Sequence, residues 1–305
     1  MKYIVTGGAG FIGSNLVDQL IDDGHEVHIL DNFSTGKKEN CNNSAIYHEL
    51  DISNTSLNQQ FIDIMRDSDG LFHVAALARV EESINNPVMY EKNNTTGTLN
   101  MLQCACDAGI KRFIYSSSSS VYGITDKLPS RENDKINPIS PYAVQKYYGE
   151  IYCTMFAQAY GLETASLRYF NVYGERQNVE DAYPLVIAVF IKQRLSGKPL
   201  TIRGDGKQRR DFIHVKDVVR ANILAMRSDM IGKGEIINIG YADNRSVNDI
   251  AEMIGGPTIN IASVFEPKKT LSDNSKAKML LNWKPSVIIE EWISNYKKDL
   301  GIIDE

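Results

Sequence analysis

Short apolar runs alternate with longer stretches of helical periodicity over the first half of the chain. Residues 2–5 read as a strand, 11–21 as a helix and 26–30 as a second strand. Apolar runs at 71–74 and 112–115 are each followed by a long helix-compatible segment. Strands alternating with helices predict a parallel sheet covered on both faces. Burial on both sides explains why these strands are continuously apolar. The second half is less regular. It shows helical stripes at 182–195, 215–226 and 287–296, shorter helices at 247–254 and 276–283, and strands at 200–202 and 236–239. No internal repeat is visible. The expected class is α/β: a doubly wound parallel sheet with a smaller mixed α/β part.

Length and composition narrow this picture. A chain of 305 residues fits about two domains or one large one. Hydrophobic residues make up 43% and charged residues 23%, which excludes a disordered chain. Net charge is −5, so general nucleic-acid binding is not expected. The four cysteines include no CxxC and the five histidines no HxxxH, so no metal site is expected and the thiols read as free. No signal-like segment or apolar stretch of membrane-spanning length occurs, which predicts a cytoplasmic chain without membrane attachment.

The first strand runs into Thr6-Gly7-Gly8-Ala9-Gly10-Phe11-Ile12-Gly13. Gly8, Gly10 and Gly13 fit G-x-G-x-x-G, while Gly7, Gly10 and Gly13 fit G-x-x-G-x-x-G. Glycines permit a tight turn and close backbone approach to a pyrophosphate, and the following helix offers free N–H groups to it. The second strand ends at Asp31. A carboxylate there accepts hydrogen bonds from an adenosine ribose and repels a 2′-phosphate, favouring NAD over NADP. Lys37 and Lys38 keep NADP as the alternative.

A second pattern is Ser140-Pro141-Tyr142-Ala143-Val144-Gln145-Lys146. Ser140 suits an N-cap and Pro141 the first helical position. Tyr142 and Lys146 then share a helix face at i and i+4. An ammonium beside a phenol favours phenolate, which makes tyrosine a usable base near neutral pH. The run Ser116–Ser120 ends the fifth strand and can place a hydroxyl beside Tyr142.

These motifs closely resemble the extended short-chain dehydrogenase/reductase family, and within it the nucleotide-sugar 4-epimerases acting on UDP-glucose or UDP-N-acetylglucosamine. The resemblance spans nearly the whole chain. It includes Asp31-Asn32-Phe33-Ser34-Thr35-Gly36-Lys37, His73-Val74-Ala75-Ala76, Asn94-x-x-Gly97-Thr98, Ser116–Gly123, Arg168-Tyr169-Phe170-Asn171-Val172-Tyr173-Gly174 and Arg210-Asp211-Phe212. It implies a Rossmann-type NAD-binding domain at 1–171, completed by about 211–241. A smaller nucleotide-sugar-binding domain would comprise 172–210 and 242–305. Gly7, Gly10, Phe11 and Ile12 would face the pyrophosphate. Asp31, Asn32, Ser34, Thr35, Gly36, Asp51 and Ile52 would hold the adenosine side of NAD. Ala75, Ala76, Ala78, Asn94 and Tyr169 would line its path to the nicotinamide. Ser118 corresponds to the catalytic hydroxyl, Tyr142 to the base and Lys146 to its ribose-binding, pKa-lowering partner.

On the substrate side, the resemblance assigns Ser119, Asn171, Val186, Thr201, Arg203, Arg210, Glu266 and Thr270, besides Ser118 and Tyr142. Arg210 would grip a diphosphate. Thr270 would face the sugar's 2-substituent. A homodimer is implied through the helical segments 87–108 and 141–160. The resemblance departs at two places. Ser263-Val264-Phe265-Glu266 stands where relatives often carry Arg-Pro-Gly-Asp. Arg203 stands where an aromatic residue often stacks on the base. Alternatives are a sugar 4,6-dehydratase, a uronate epimerase or decarboxylase, a reductase, or a non-catalytic NAD-binding regulator. A dehydratase typically needs an Asp-Glu pair after the catalytic hydroxyl, and this chain has Ser119-Ser120.

Overall fold

The computed structural model describes residues 1–177, 186–263 and 266–302. Its centre is a seven-stranded parallel sheet. Six strands come from the first half: β1 (Lys2–Thr6), β2 (Glu26–Asp31), β3 (Ile46–Glu49), β4 (Gly70–His73), β5 (Arg112–Ser118) and β6 (Glu163–Tyr169). The seventh, Lys233–Ile239, arrives late in the chain and pairs with β6, giving the order Lys233–Ile239, β6, β5, β4, β1, β2, β3. The order reverses beside β1, and ligands of open α/β sheets bind outside the strand ends at such a switch point.

Two apolar layers sandwich the sheet. One packs helices Phe11–Asp22 and Val215–Arg227 against Val5, Ile29, Ile114 and Leu167. The other packs helices Asn58–Met65, Gly97–Asp107 and Pro141–Tyr160 against Ile4, Leu71 and Phe113. A separate cluster joins Tyr173, helix Val186–Leu195, helix Val247–Ile254 and the last helix, Ile289–Asp299. Beside it a two-stranded parallel ribbon pairs Leu200–Arg203 with Thr258–Ile261.

The expected first-half strands and helix form with ends shifted by a residue or a few. The first four residues of the 182–195 stripe lie outside the described residues, and its remainder is helix Val186–Leu195. The expected 87–108 segment is interrupted. Helix Pro87–Glu91 passes through a π-turn at Lys92–Thr96 before helix Gly97–Asp107. That wider turn rotates Asn94 towards the loop after β4, a use to which π-turns are often put.

Candidate active site

The glycine turn is sterically closed to side chains. Gly7 sits at φ +72°, and a Cβ on it would lie 2.7 Å from the Ala75 backbone. A Cβ on Gly13 would lie 2.0 Å from the Gly7 carbonyl oxygen, so this helix packs directly on the turn. Gly10 is the N-cap of helix Phe11–Asp22, and no side chain caps it. The first-turn N–H groups are therefore left for an anion. Phe11 and Ile12 are half-buried against the core.

Asp31 is buried and held by two backbone donors, Ala9 N–H at 2.9 Å to Oδ2 and Phe33 N–H at 2.8 Å to Oδ1. Burial raises its carboxyl pKa and the two backbone donors oppose that. Each oxygen keeps acceptor capacity for a diol. Gly36 lies against it, since a Cβ there would come within 3.0 Å of Asp31 Oδ1. Asn32, Ser34 and Thr35 are exposed, with the Asn32 side chain accepting from Ser34 N–H. Lys37 pairs with Glu39 and Lys38 lies over the Phe33 ring. Asp51 closes a local turn onto Ser53, and Ile52 is buried.

The far side of the cleft is fixed by a buried chain that the sequence showed only as a motif. Val74 and Ala75 N–H groups donate to Thr6 Oγ1, which lies 2.9 Å from His73 Nδ1. His73 Nε2 lies 2.9 Å from Thr98 Oγ1, whose proton goes to the Asn94 carbonyl. These partners assign the imidazole proton to Nε2. Burial, then the nearby Lys146 charge, pushes His73 down to about 3, so it stays neutral. The Asn94 amide is spent on both backbone groups of Leu77 and on Gln145. Asn94 thus positions the loop carrying Ala75, Ala76 and Ala78 and has no free donor for a ligand. Ala75 and Ala76 are half-buried, and Ala78 is exposed.

Helix Pro141–Tyr160 carries Tyr142 and Lys146. Ser140 accepts from Ala143 N–H at its start, and left-handed Gly161 ends it. The Tyr142 N–H is satisfied by Ser83 Oγ at 3.2 Å, a support the sequence did not reveal. Gly149 lets the helix approach β5 closely, because a Cβ there would lie 2.2 Å from the Tyr115 hydroxyl. That approach brings Lys146 Nζ to 2.8 Å from the Ser116 carbonyl and 5.1 Å from the Tyr115 ring centre. Lys146 Nζ is 5.9 Å from the centre of the Tyr142 ring. Ser118, the last residue of β5, faces the Tyr142 hydroxyl and draws its pKa down. Ser118 Oγ also accepts from Ser120 N–H. Ser119 follows in the same half-buried turn. The structure thus brings Ser118, Tyr142 and Lys146 together as the motif spacing predicts.

One part of that expectation needs correction. Lys146 does not pull the Tyr142 phenol down in the protein alone. Burial pushes the phenol up, and only the Ser118 hydrogen bond opposes it. Lys146 is itself pushed down to about 7 by burial, against the upward pull of Glu150. An ammonium aimed at the Ser116 carbonyl, 5.9 Å from the centre of the Tyr142 ring, is not directed at the phenol oxygen.

Tyr169 is paired with Ser118 in the sheet register, but its hydroxyl is bonded inward to Ser116 and Asn222. Only its ring can line a cleft. On the second-half side, Asn171 Nδ2 donates to Thr270 Oγ1 at 3.3 Å and to the Asp211 carbonyl at 2.8 Å. Asp211 N–H also donates to Thr270 Oγ1. The buried Asp211 carboxylate gathers the N–H groups of Tyr241, Ala242 and Ser272, holding three segments around this point. Arg210 is ion-paired to Glu266 at 2.6 Å. Thr201 is clipped by the Gln193 amide through both its N–H and its hydroxyl. Arg203 ends the Leu200–Arg203 strand, and Val186 opens its helix; both are half-buried. Val264 and Phe265 lie outside the described residues. Among the described residues, no group of three or more His, Cys, Asp or Glu is placed to hold a metal ion, and no helix is long and apolar enough to cross a membrane.

A glycine turn at a helix start, a buried carboxylate at the end of the next strand and a Ser–Tyr–Lys cluster at the end of β5 coincide with a family match. Residues 3–240 fit the NAD dependent epimerase/dehydratase family. The chain belongs to this family. It is 36% identical to the UDP-glucose 4-epimerase of Lactobacillus helveticus, over 93% of this chain and 92% of that one. The fold matches the crystal structure of UDP-glucose 4-epimerase with UDP-glucose from Thermotoga maritima, with TM-score 0.92 and 38% identity, covering 98% of this chain and all of that one. It also matches UDP-N-acetylglucosamine 4-epimerase from Methanobrevibacter ruminantium in complex with UDP-N-acetylmuramic acid. There the TM-score is 0.90 and the identity 36%, over 99% and 97% of the two chains. The parallel Rossmann-type sheet expected from the alternating pattern is thus the family's own architecture.

Proposed function

We propose that this chain is an NAD-dependent nucleotide-sugar 4-epimerase acting on UDP-hexoses, plain and N-acetylated, with residues 172–210 and 242–305 receiving the nucleotide-sugar. The observation that carries the reading is the Ser118–Tyr142–Lys146 cluster with Ser119 and Ser120, rather than carboxylates, following the catalytic hydroxyl. NAD, when bound, takes up and returns the C4 hydride without net redox change, and its oxidised form adds a positive charge. Tyr142 accepts the proton of the sugar 4-hydroxyl, Ser118 holds that oxygen, and Tyr142 gives the proton back after the 4-keto sugar has turned. Expulsion of water would need further positioned acids, which this turn does not supply. Incubation with UDP-glucose or UDP-N-acetylglucosamine, without added NADH, is expected to produce the 4-epimer by proton NMR. A new C6 methyl signal with loss of the C6 methylene signals would instead identify a dehydratase.

Thr270 carries the substrate breadth. Its small side chain, fixed by Asn171 and Asp211, leaves the room beside a sugar 2-position that a tyrosine would fill. Thr270→Tyr is expected to lose kcat/KM selectively on the N-acetylated sugar, because a whole acetamido group is excluded sterically. Thr270→Val puts a methyl in place of the hydroxyl that accepts from Asn171 and Asp211, so it should lower both substrates alike. Equal losses in Thr270→Tyr, or a parent inert on the N-acetylated sugar, would remove Thr270 from this role.

The same reading includes a homodimer. Val80, Ile84, Val88, Met89, Tyr148 and Ile151 are exposed large apolar residues on helices Val80–Asn85, Pro87–Glu91 and Pro141–Tyr160. Val88 alone is 80% exposed. A second copy of this chain would bury those on Pro87–Glu91 and Pro141–Tyr160 as a four-helix contact, two helices from each copy, with Val80 and Ile84 beside it. Light scattering after size exclusion should return twice the 34.2 kDa chain mass; a monomer mass would overturn it.

A further inference from the structure

Asp18, half-buried, lies on helix Phe11–Asp22 two turns beyond the glycine turn. Its two carboxylate oxygens are divided between two segments far apart in sequence. Asn42 Nδ2 donates to Oδ1 at 2.7 Å, and the Arg176 guanidinium pairs with Oδ2 at 2.6 Å. Asn42 belongs to the loop that starts at Asp31 and carries Asn32 to Gly36. Arg176 belongs to the segment that starts at Tyr169 and Asn171. One turn earlier on the same helix face, Asn15 Nδ2 donates to the Glu175 carbonyl at 3.2 Å. The first loop is also tied to the glycine turn, through Lys37 N–H and Asn40 Nδ2 to the Ala9 carbonyl. Arg176 holds φ +66°, a conformation that a residue with a side chain rarely keeps without outside support.

We infer that Asp18 is a clasp that fastens the adenosine-side loop to the segment leading from the reacting side, and so slows release of the dinucleotide lying between their roots. The inference rests on the reading of the cleft as an NAD site. It assigns Asp18 no contact with the cofactor and no part in the chemistry; Asp18 is a positioning residue. The physical basis is simple. Both loops are rooted in residues assigned to NAD, and one carboxylate ties both to the helix whose start cradles the phosphates. With the clasp cut, each loop remains attached only through its own weaker contacts, and its openings become more frequent. An epimerase that recycles its cofactor gains from slow release, because lost NAD stops turnover.

The test compares the parent with Asp18→Ala, Arg176→Ala and the double variant. Each is loaded with radiolabelled NAD and chased with excess unlabelled NAD. Hydrogen exchange of residues 32–45 and 174–177 is followed with and without NAD. Asp18→Ala is expected to speed NAD release about fivefold or more, since it removes two bonds to a charged, partly exposed carboxylate. Arg176→Ala should give a smaller increase, and the double variant no more than Asp18→Ala. Both segments should exchange faster in Asp18→Ala even without NAD. Release within twofold of the parent, or exchange that rises uniformly over the chain, would overturn the clasp. A parent that retains no dinucleotide would instead overturn the NAD reading itself, and the clasp with it. The swapped pair Asp18→Arg with Arg176→Asp, if it restores slow release, separates the ion pair from a loss of folding.

Discussion

Tyr142→Phe is expected to lower kcat by about 10²–10⁴-fold on every accepted UDP-sugar while leaving folding and NAD content unchanged. The substitution removes one oxygen, whose protein partner is Ser118. The ring stays packed at the start of its helix, whose first-turn donors are held by Ser140 and Ser83 rather than by the phenol. The size is that expected for loss of a positioned acid–base group. Burial raises the phenol pKa, and Lys146, pushed down to about 7 and bonded to the Ser116 carbonyl, does not offset it. No other side chain in the Ser118–Ser120 turn is basic. A single-turnover measurement of hydride transfer, with NAD content read after denaturation, checks the result. Near-parental transfer would show that the proton leaves by another route.

The second large effect concerns stability. Arg168 and Glu150 form a two-pronged ion pair with both bonds at 2.7 Å and both side chains about 1% exposed. Ser117 donates to the same carboxylate, and the guanidinium lies 4.7 Å from the Tyr122 ring centre. Arg168→Met would leave Glu150 buried and uncompensated, at a cost of about 3–5 kcal/mol. That is a large share of the stability of an ordinary domain. Adding Glu150→Leu removes the second charge together with its desolvation penalty, so the double variant should recover most of the loss. Denaturant unfolding of the two single variants and the double variant tests this. A double variant no better than Arg168→Met would mean that packing, not the orphaned charge, sets the cost.

This ion pair also shows why part of the molecule was hidden in its sequence. β6 was not recognisable as a strand, because Thr164, Ser166 and Arg168 interrupt its apolar run. An arginine near the end of a strand reads as exposed until Glu150, on a helix packed across the sheet, is seen opposite it. β3 failed for another reason: it is an edge strand, only half-buried, and Ile46-Tyr47-His48-Glu49 has no continuous apolar character. The cofactor cradle and the Tyr142–Lys146 helix were legible because local chemistry dictates them. Glycines that admit no Cβ, a Ser-Pro start and an i,i+4 pair all act within a few residues. The supports could not be read in that way. Ser83 for Tyr142, Asn94 for the Ala75 loop, and Asp211 for the Thr270 pocket each act across long chain separations. Periodicity likewise gave helix over 87–108 without the π-turn that aims Asn94.

The sheet's order has a consequence for how the chain is made. β6 is the last strand of the sheet supplied by the first half, and its outer neighbour does not emerge until Lys233–Ile239. Throughout synthesis of residues 172–232, β6 presents an unpaired row of backbone donors and acceptors. Such an edge can recruit strands from other nascent chains. Arg168, near the end of β6, is buried only together with Glu150 from the preceding helix. A fragment ending near residue 171 would carry every motif of the cofactor cleft and still expose this raw edge. The sheet is thus complete only when the chain has returned to β6 from the other side.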